Sequence, residues 1–74
     1  MASLRQTRVG RLLTIRELAE QAGVAPSTIY LLEAGRTRPS LRIIRQLAEA
    51  LGVEPQEVDE FRQVIEAPGR RRKR

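Results

Sequence analysis

Thr14–Glu33, TIRELAEQAGVAPSTIYLLE, is the stretch whose reading decides the fold. It reads as two short amphipathic helices joined by a glycine turn. Thr14 opens the first with a capping box: its hydroxyl is placed to accept from the Glu17 backbone N–H, while the Glu17 carboxylate reaches back to the Thr14 N–H. Ile15, Leu18, Ala19 and Ala22 then recur at helical spacing as one apolar stripe. Leu18 is the large anchor, and the two alanines let another helix come close. Gly23 ends the helix in the left-handed conformation that glycine adopts without a Cβ penalty, and Val24 is its usual apolar follower. Pro26 suits the first position of the next helix, where its missing N–H costs nothing. Ile29 and Leu32 point inward from that helix. Ser27, Tyr30, Leu31 and Ala34 are left on other faces. An outward Tyr and Leu have no folding role, which hints at a contact surface; the bland reading is a ring half-packed on a neighbouring helix and an incidental exposed Leu.

Upstream, Ser3 caps a helix that starts at Leu4 and is expected to end near Arg11 or Leu12. Its apolar marks are Leu4, Val9, Leu12 and Leu13, and Gly10 weakens its last turn by about 1 kcal/mol relative to Ala. Downstream, Gly35 stops the helix of Pro26, and Arg36, Thr37, Arg38 and Pro39 form a basic loop. Ser40 caps a fourth helix whose expected buried stripe is Leu41, Ile44, Leu47, Ala48 and Leu51, closed by Gly52 and Val53. Pro55 is expected to open a fifth helix, with Val53 and Val58 as a hydrophobic staple and Val58, Phe61 and Ile65 as its stripe. Ala67, Pro68 and Gly69 break it. No segment alternates with period two, so no sheet is expected. The expectation is an all-α fold of five helices over residues 1–66, followed by a basic, disordered tail at 67–74.

Composition narrows the chemistry. Seventy-four residues make one small domain with a modest core. There is no Cys and no His, which removes disulfides, zinc fingers, thiol nucleophiles and imidazole bases. No catalytic residue, cofactor or metal is expected. Glu57, Asp59 and Glu60 read as a solvated helix face or as charge at a helix N-terminus. Tyr30 and Phe61 are the only aromatics, too few for a base-stacking platform. The net charge is +5, and the tail Arg70, Arg71, Arg72, Lys73, Arg74 accounts for all of it. In the neutral remainder, Arg5, Arg8, Arg11 and Arg16 meet no acid in the first sixteen residues, and Arg36, Arg38, Arg42 and Arg45 meet none between 34 and 48. Glu54, Glu57, Asp59, Glu60 and Glu66 crowd the other end. Such polarity suits one face meeting phosphates; the alternative is solvated helix faces without a role. No apolar run spans a bilayer and no signal segment is present, so the expected location is the cytoplasm, with no membrane partner. The tail RRRKR resembles a nuclear-import patch in a eukaryote, but is read first as a phosphate-binding tether, against the rival of a merely solubilising end.

Set in order, Leu13-Thr14, Glu17-Leu18-Ala19, Gly23-Val24, Ser27-Thr28-Ile29, Glu33, Gly35, Pro39-Ser40-Leu41 and Leu47-Ala48 through Leu51-Gly52-Val53 make a pattern. The chain from about 4 to 66 resembles the phage repressor and Cro family (the xenobiotic response element family) of helix-turn-helix DNA-binding domains, a lambda-repressor-like fold. The resemblance implies that the third helix lies in the DNA major groove. It puts base-facing positions at Pro26, Ser27, Thr28, Tyr30 and Leu31. It puts phosphate contacts at Arg11, at Thr14 with Ile15 on the second helix N-terminus, and at Arg36, Thr37 and Arg38. It implies a buried ion pair between Arg8 and Glu33. This chain departs from the pattern where Ile15 replaces a phosphate-gripping Gln and Ala25 a polar cap. Pro26 and Leu31 stand where base-reading Gln or Arg is common, and Thr7 where an apolar residue is usual. With no Arg, Asn or Gln to grip a base edge, readout is expected to lean on Ser27, Tyr30 and thymine methyl contacts, and on shape.

The implied function is a sequence-specific double-stranded DNA-binding transcriptional regulator, expected to be a repressor and to act as a homodimer on DNA. Phe61, Val64 and Ile65 of the fifth helix are the candidate dimer surface; equally, they close the monomer's own core. The alternatives are an antitoxin that binds a protein toxin and autoregulates, or a restriction–modification controller.

Overall fold

The computed structural model describes residues 2–66, which fold as five α-helices and one 3-10 turn. The helices are α1 Leu4–Gly10, α2 Ile15–Ala22, α3 Pro26–Glu33, α4 Leu41–Leu51 and α5 Asp59–Ile65, with the 3-10 turn at Pro55–Glu57. Residues 67–74, and with them the basic tail, lie outside the described residues.

Local chemistry starts and stops the helices. Thr14 and Glu17 form the expected capping box, with Glu17 N–H donating to Thr14 Oγ1 at 3.0 Å and Thr14 N–H to Glu17 Oε1 at 2.9 Å. Ser3 caps α1 in the same way with Gln6, completing a box of which only the Ser3 cap was expected. Ser40 Oγ accepts from Ile43 N–H at 3.1 Å and opens α4. Gly23 ends α2 and Gly52 ends α4, at φ +74° and +71°.

The core is built on α2, which packs against both α3 and α4; α1 closes over α3, and α5 over α4. Leu4, Leu18, Ile29, Leu32, Leu47, Val58 and Phe61 are fully buried. Each such side chain contributes roughly 1.5–3 kcal/mol by leaving water. Ala19 and Ala22 are buried beside Leu18 and keep α2 close to its neighbours.

Four expectations are corrected. Leu41 is 56% exposed rather than core: it is the first residue of α4, and helical side chains lean toward the N-terminus, so its side chain projects past the end of the packed layer. Val9 and Leu12 of the α1 region are also exposed, leaving Leu4 as that helix's apolar anchor. The fifth helix does not start at Pro55. Val58 is extended, at φ −105° and ψ 123°, and α5 begins after it. The stripe counted through Val58 is therefore interrupted, and Val64 is buried while Ile65 is 43% exposed.

A contact from the other end of the chain imposes the break at Val58. Ala2 pairs with Val58 in an isolated parallel bridge, accepting from Asp59 N–H at 2.8 Å and donating to Glu57 O at 3.4 Å. Glu60 Oε1 accepts from Leu4 N–H at 2.7 Å. The first turn of α5 and the first turn of α1 thus satisfy each other's orphan backbone groups. No strand forms among the described residues.

Candidate nucleic-acid interface

Helix α3 is fixed from behind. Ile29 and Leu32 are buried against the rest of the core, and Glu33 closes the helix with an ion pair to α1. Arg8 Nε donates to Glu33 Oε2 at 2.6 Å and Arg8 Nη2 to Glu33 Oε1 at 3.0 Å. The side chains are only 11% and 9% exposed. The third guanidinium nitrogen is also used: Nη1 donates to Leu13 O at 2.8 Å. One arginine thereby ties α1, the α1–α2 turn and α3 together. Hydrogen bonding to Glu33 raises the proton affinity of Arg8 above its ordinary value, burial opposes this, and the carboxylate's charge adds to it. For a raised group the stabilisation is fully present below the unfolded value and is lost only as pH rises through the folded one. For an arginine that lies far above neutrality, so the Arg8 side of the pair adds no pH dependence near neutral pH.

The outward face of α3 carries the expected reading residues. Pro26, Ser27, Tyr30 and Leu31 are exposed, and Thr28 is half-buried. Tyr30 is the most open of the larger ones, at 58%. Ala25 makes no side-chain cap, and Pro26 supplies the helix start instead. Beyond α3, Gly35 takes φ +72° and turns the chain, with Arg36 N–H donating back to Leu31 O at 2.9 Å. Arg36, Thr37 and Arg38 are then exposed, and Pro39 is buried, which anchors the far end of this basic loop.

At the start of α2, Thr14 is exposed, but both halves of its capping box are engaged with Glu17. Its own amide is therefore spoken for. The remaining first-turn amides of α2 are those of Ile15 and Arg16. Arg11, the C-cap of α1, is exposed next to this turn. Leu12 follows at φ +60°, 89% exposed.

A cleft of about 350 Å³ opens between α1, α2 and α3, lined by Arg5, Arg8, Ile15, Tyr30, Glu33 and Ala34. Arg5 was expected only as part of the N-terminal basic block, with no contact of its own. Its signal was its position three before Arg8, which puts both on one face of α1. A second cleft, about 450 Å³, lies between the end of α4 and the 3-10 turn, lined in part by Arg45, Glu49, Glu54 and Glu57. The arrangement offers an exposed helix face flanked by arginines and by helix-end amides. Such an arrangement can meet the phosphates of an anionic polymer.

Comparison with known proteins bears on the same region. The family described as helix-turn-helix matches residues 4–58. A protein of Methanothermobacter thermautotrophicus named as an uncharacterized HTH-type transcriptional regulator is 52% identical over 42 residues. That alignment covers 57% of this chain and 61% of the relative, so the chain spans under two thirds of that protein's length. No solved structure matches the chain significantly.

Proposed function

This chain belongs to the helix-turn-helix family, and from that premise we propose that it is a sequence-specific double-stranded DNA-binding transcriptional regulator that inserts α3 into the major groove. The observation that carries this is the division of α3. One face is locked by Ile29, Leu32 and Glu33, and the other leaves Pro26, Ser27 and Leu31 exposed. A major groove about 12 Å wide admits such a helix. Ser27 reads through its hydroxyl, and Pro26 and Leu31 touch thymine methyls, with Thr28 at the margin. Arg11, Arg36, Thr37, Arg38 and the α2 N-terminus, through the Thr14 hydroxyl and the Ile15 and Arg16 amides, grip phosphates, which set register and supply most of the affinity. The regulator acts as a repressor, by occupying its site, and as a homodimer on two half-sites about one helical turn apart.

Reading the chain as an antitoxin relied on apolar residues of α5 to meet a toxin. Phe61 and Val64 belong to the chain's own core, which favours the groove-binding reading. The same burial leaves only Ile65 of the three candidate dimer residues on the surface.

Selection of bound duplexes from a random pool tests the proposal. The recovered motif reports half-site and symmetry: a palindrome supports the homodimer, and failure to enrich any motif contradicts sequence-specific binding. With that duplex in hand, Ser27→Ala and Leu31→Ala are expected to narrow the preference over an unrelated duplex. Arg38→Ala is expected to weaken binding to both about equally. If all three variants behave alike, the reading face is misassigned.

A further inference from the structure

The cleft beside Tyr30 holds an arginine that neither the fold nor the reading face uses. Of its two arginines, Arg8 is neutralised by the two-pronged contact with Glu33 and buried. Arg5 is exposed, and among the described residues it makes no ion pair and no side-chain hydrogen bond. The charge that remains in the cleft is therefore that of Arg5. Tyr30 lines the same cleft with a ring more than half open to solvent, and the Glu33 carboxylate there is already held by Arg8. Ile15 and Ala34 complete the wall with apolar surface. The cleft offers one guanidinium, one phenolic donor and no free carboxylate. It fits a single tetrahedral oxyanion, which a guanidinium binds through paired N–H groups.

The helices around it say where that anion comes from. Tyr30 stands on α3 between Ile29 and Leu31, and Ile15 is the first residue of α2. The cleft thus borders the α3 face proposed to enter the groove. Resting on that reading, we propose that Arg5 and Tyr30 together bind one backbone phosphate of the duplex, at the α1 edge of the interface. This takes Tyr30 out of the base-reading set and makes it a positioning contact, with its ring spanning from the groove to the sugar-phosphate chain. It also extends the phosphate grip to α1, so that the duplex touches α1, α2, α3 and the loop after α3.

Arg5→Gln removes the charge at an exposed position, and Tyr30→Phe removes only the hydroxyl, so both variants are expected to keep the fold, which a melting curve checks. The probes are the selected duplex and an unrelated duplex of about 20 base pairs, each titrated across a range of salt. Arg5→Gln is expected to lower affinity for both duplexes by about threefold to tenfold per bound protomer, and to flatten the slope of log affinity against log salt by about 0.9 per bound protomer. Tyr30→Phe is expected to lower affinity for both equally with the slope unchanged. Ethylation of one particular phosphate is expected to weaken the wild type more than it weakens Arg5→Gln, which keeps only the Tyr30 contact to that phosphate. A steep wild-type slope that Arg5→Gln leaves intact overturns the assignment of Arg5. A Tyr30→Phe variant that changes the ratio between the two duplexes makes Tyr30 a base reader and overturns its share. Absence of salt-dependent binding by the wild type overturns the DNA-binding reading itself, and this proposal with it.

Discussion

Arg8 is the residue on which the orientation of the interface turns. It makes three hydrogen bonds to two partners from α1, and the partners belong to α3 and to the α1–α2 turn. Removing it leaves the Glu33 carboxylate and the Leu13 carbonyl without their donors. Arg8→Ala is expected to cost about 3–5 kcal/mol in chemical denaturation, because a buried charge loses its partner. A cost below about 1 kcal/mol would mean that water satisfies Glu33 and that the pair is a surface one. The pairing was legible only through the resemblance, since no local rule joins residues so far apart in sequence. Thr14 with Glu17 was legible directly, because three residues' spacing is the whole mechanism. The spacing of Arg5 and Arg8 shows only that they share a face of α1; the cleft beside them is made by three helices meeting and was not legible.

At the scale of elements, helix starts and ends at Thr14, Gly23, Pro26, Ser40 and Gly52 followed from local chemistry. The end of α1 is different. Leu12 occupies the left-handed position after the Arg11 cap, where glycine is usual, and Leu13 N–H closes the turn on Arg8 O at 3.2 Å. A leucine there carries about 1–2 kcal/mol of strain, and its exposure means that packing does not repay it. Leu12→Gly is therefore expected to stabilise the protein by about 1 kcal/mol, read as a rise in Tm of about 4–8 °C. A lower Tm would show that Leu12 makes a contact that matters for folding. Helix α5 supplies the second test at this scale. Val64→Ala is expected to cost about 2 kcal/mol through lost methyl burial and the cavity left behind, while Ile65→Ala stays within about 0.5 kcal/mol. The reverse order would restore the stripe read from sequence. That stripe misled because Val58, Phe61 and Ile65 keep helical spacing on paper, whereas the chain is extended at Val58.

At the scale of the molecule, that extension is caused from the opposite end. Ala2 bridges to Val58, and Glu60 holds the Leu4 amide, so the N-terminal segment and α5 close the fold on each other. Nothing within either segment announces this. Glu60→Ala is expected to destabilise by about 1.5–3 kcal/mol, as expected for a hydrogen bond to a charged group in a partly buried setting. Denaturant unfolding checks it, and an unchanged midpoint would make the contact dispensable. On the proposed reading, the closure matters because α1 carries Arg5 and Arg8. Anchoring α1 at both its first turn and its Glu33 contact fixes the arginines relative to α3. The all-α architecture and the outward face of α3 were readable from periodicity, since Ile29 and Leu32 leave Tyr30 and Leu31 no inward position. The most direct measurement is an NMR titration of isotope-labelled protein with the selected duplex. Amide shifts are predicted to concentrate at Ser27–Leu31, at Ile15 and Arg16, and at Arg36–Arg38. Shifts confined to α5 and Glu54–Glu57, with α3 unmoved, would contradict insertion of α3 into the groove.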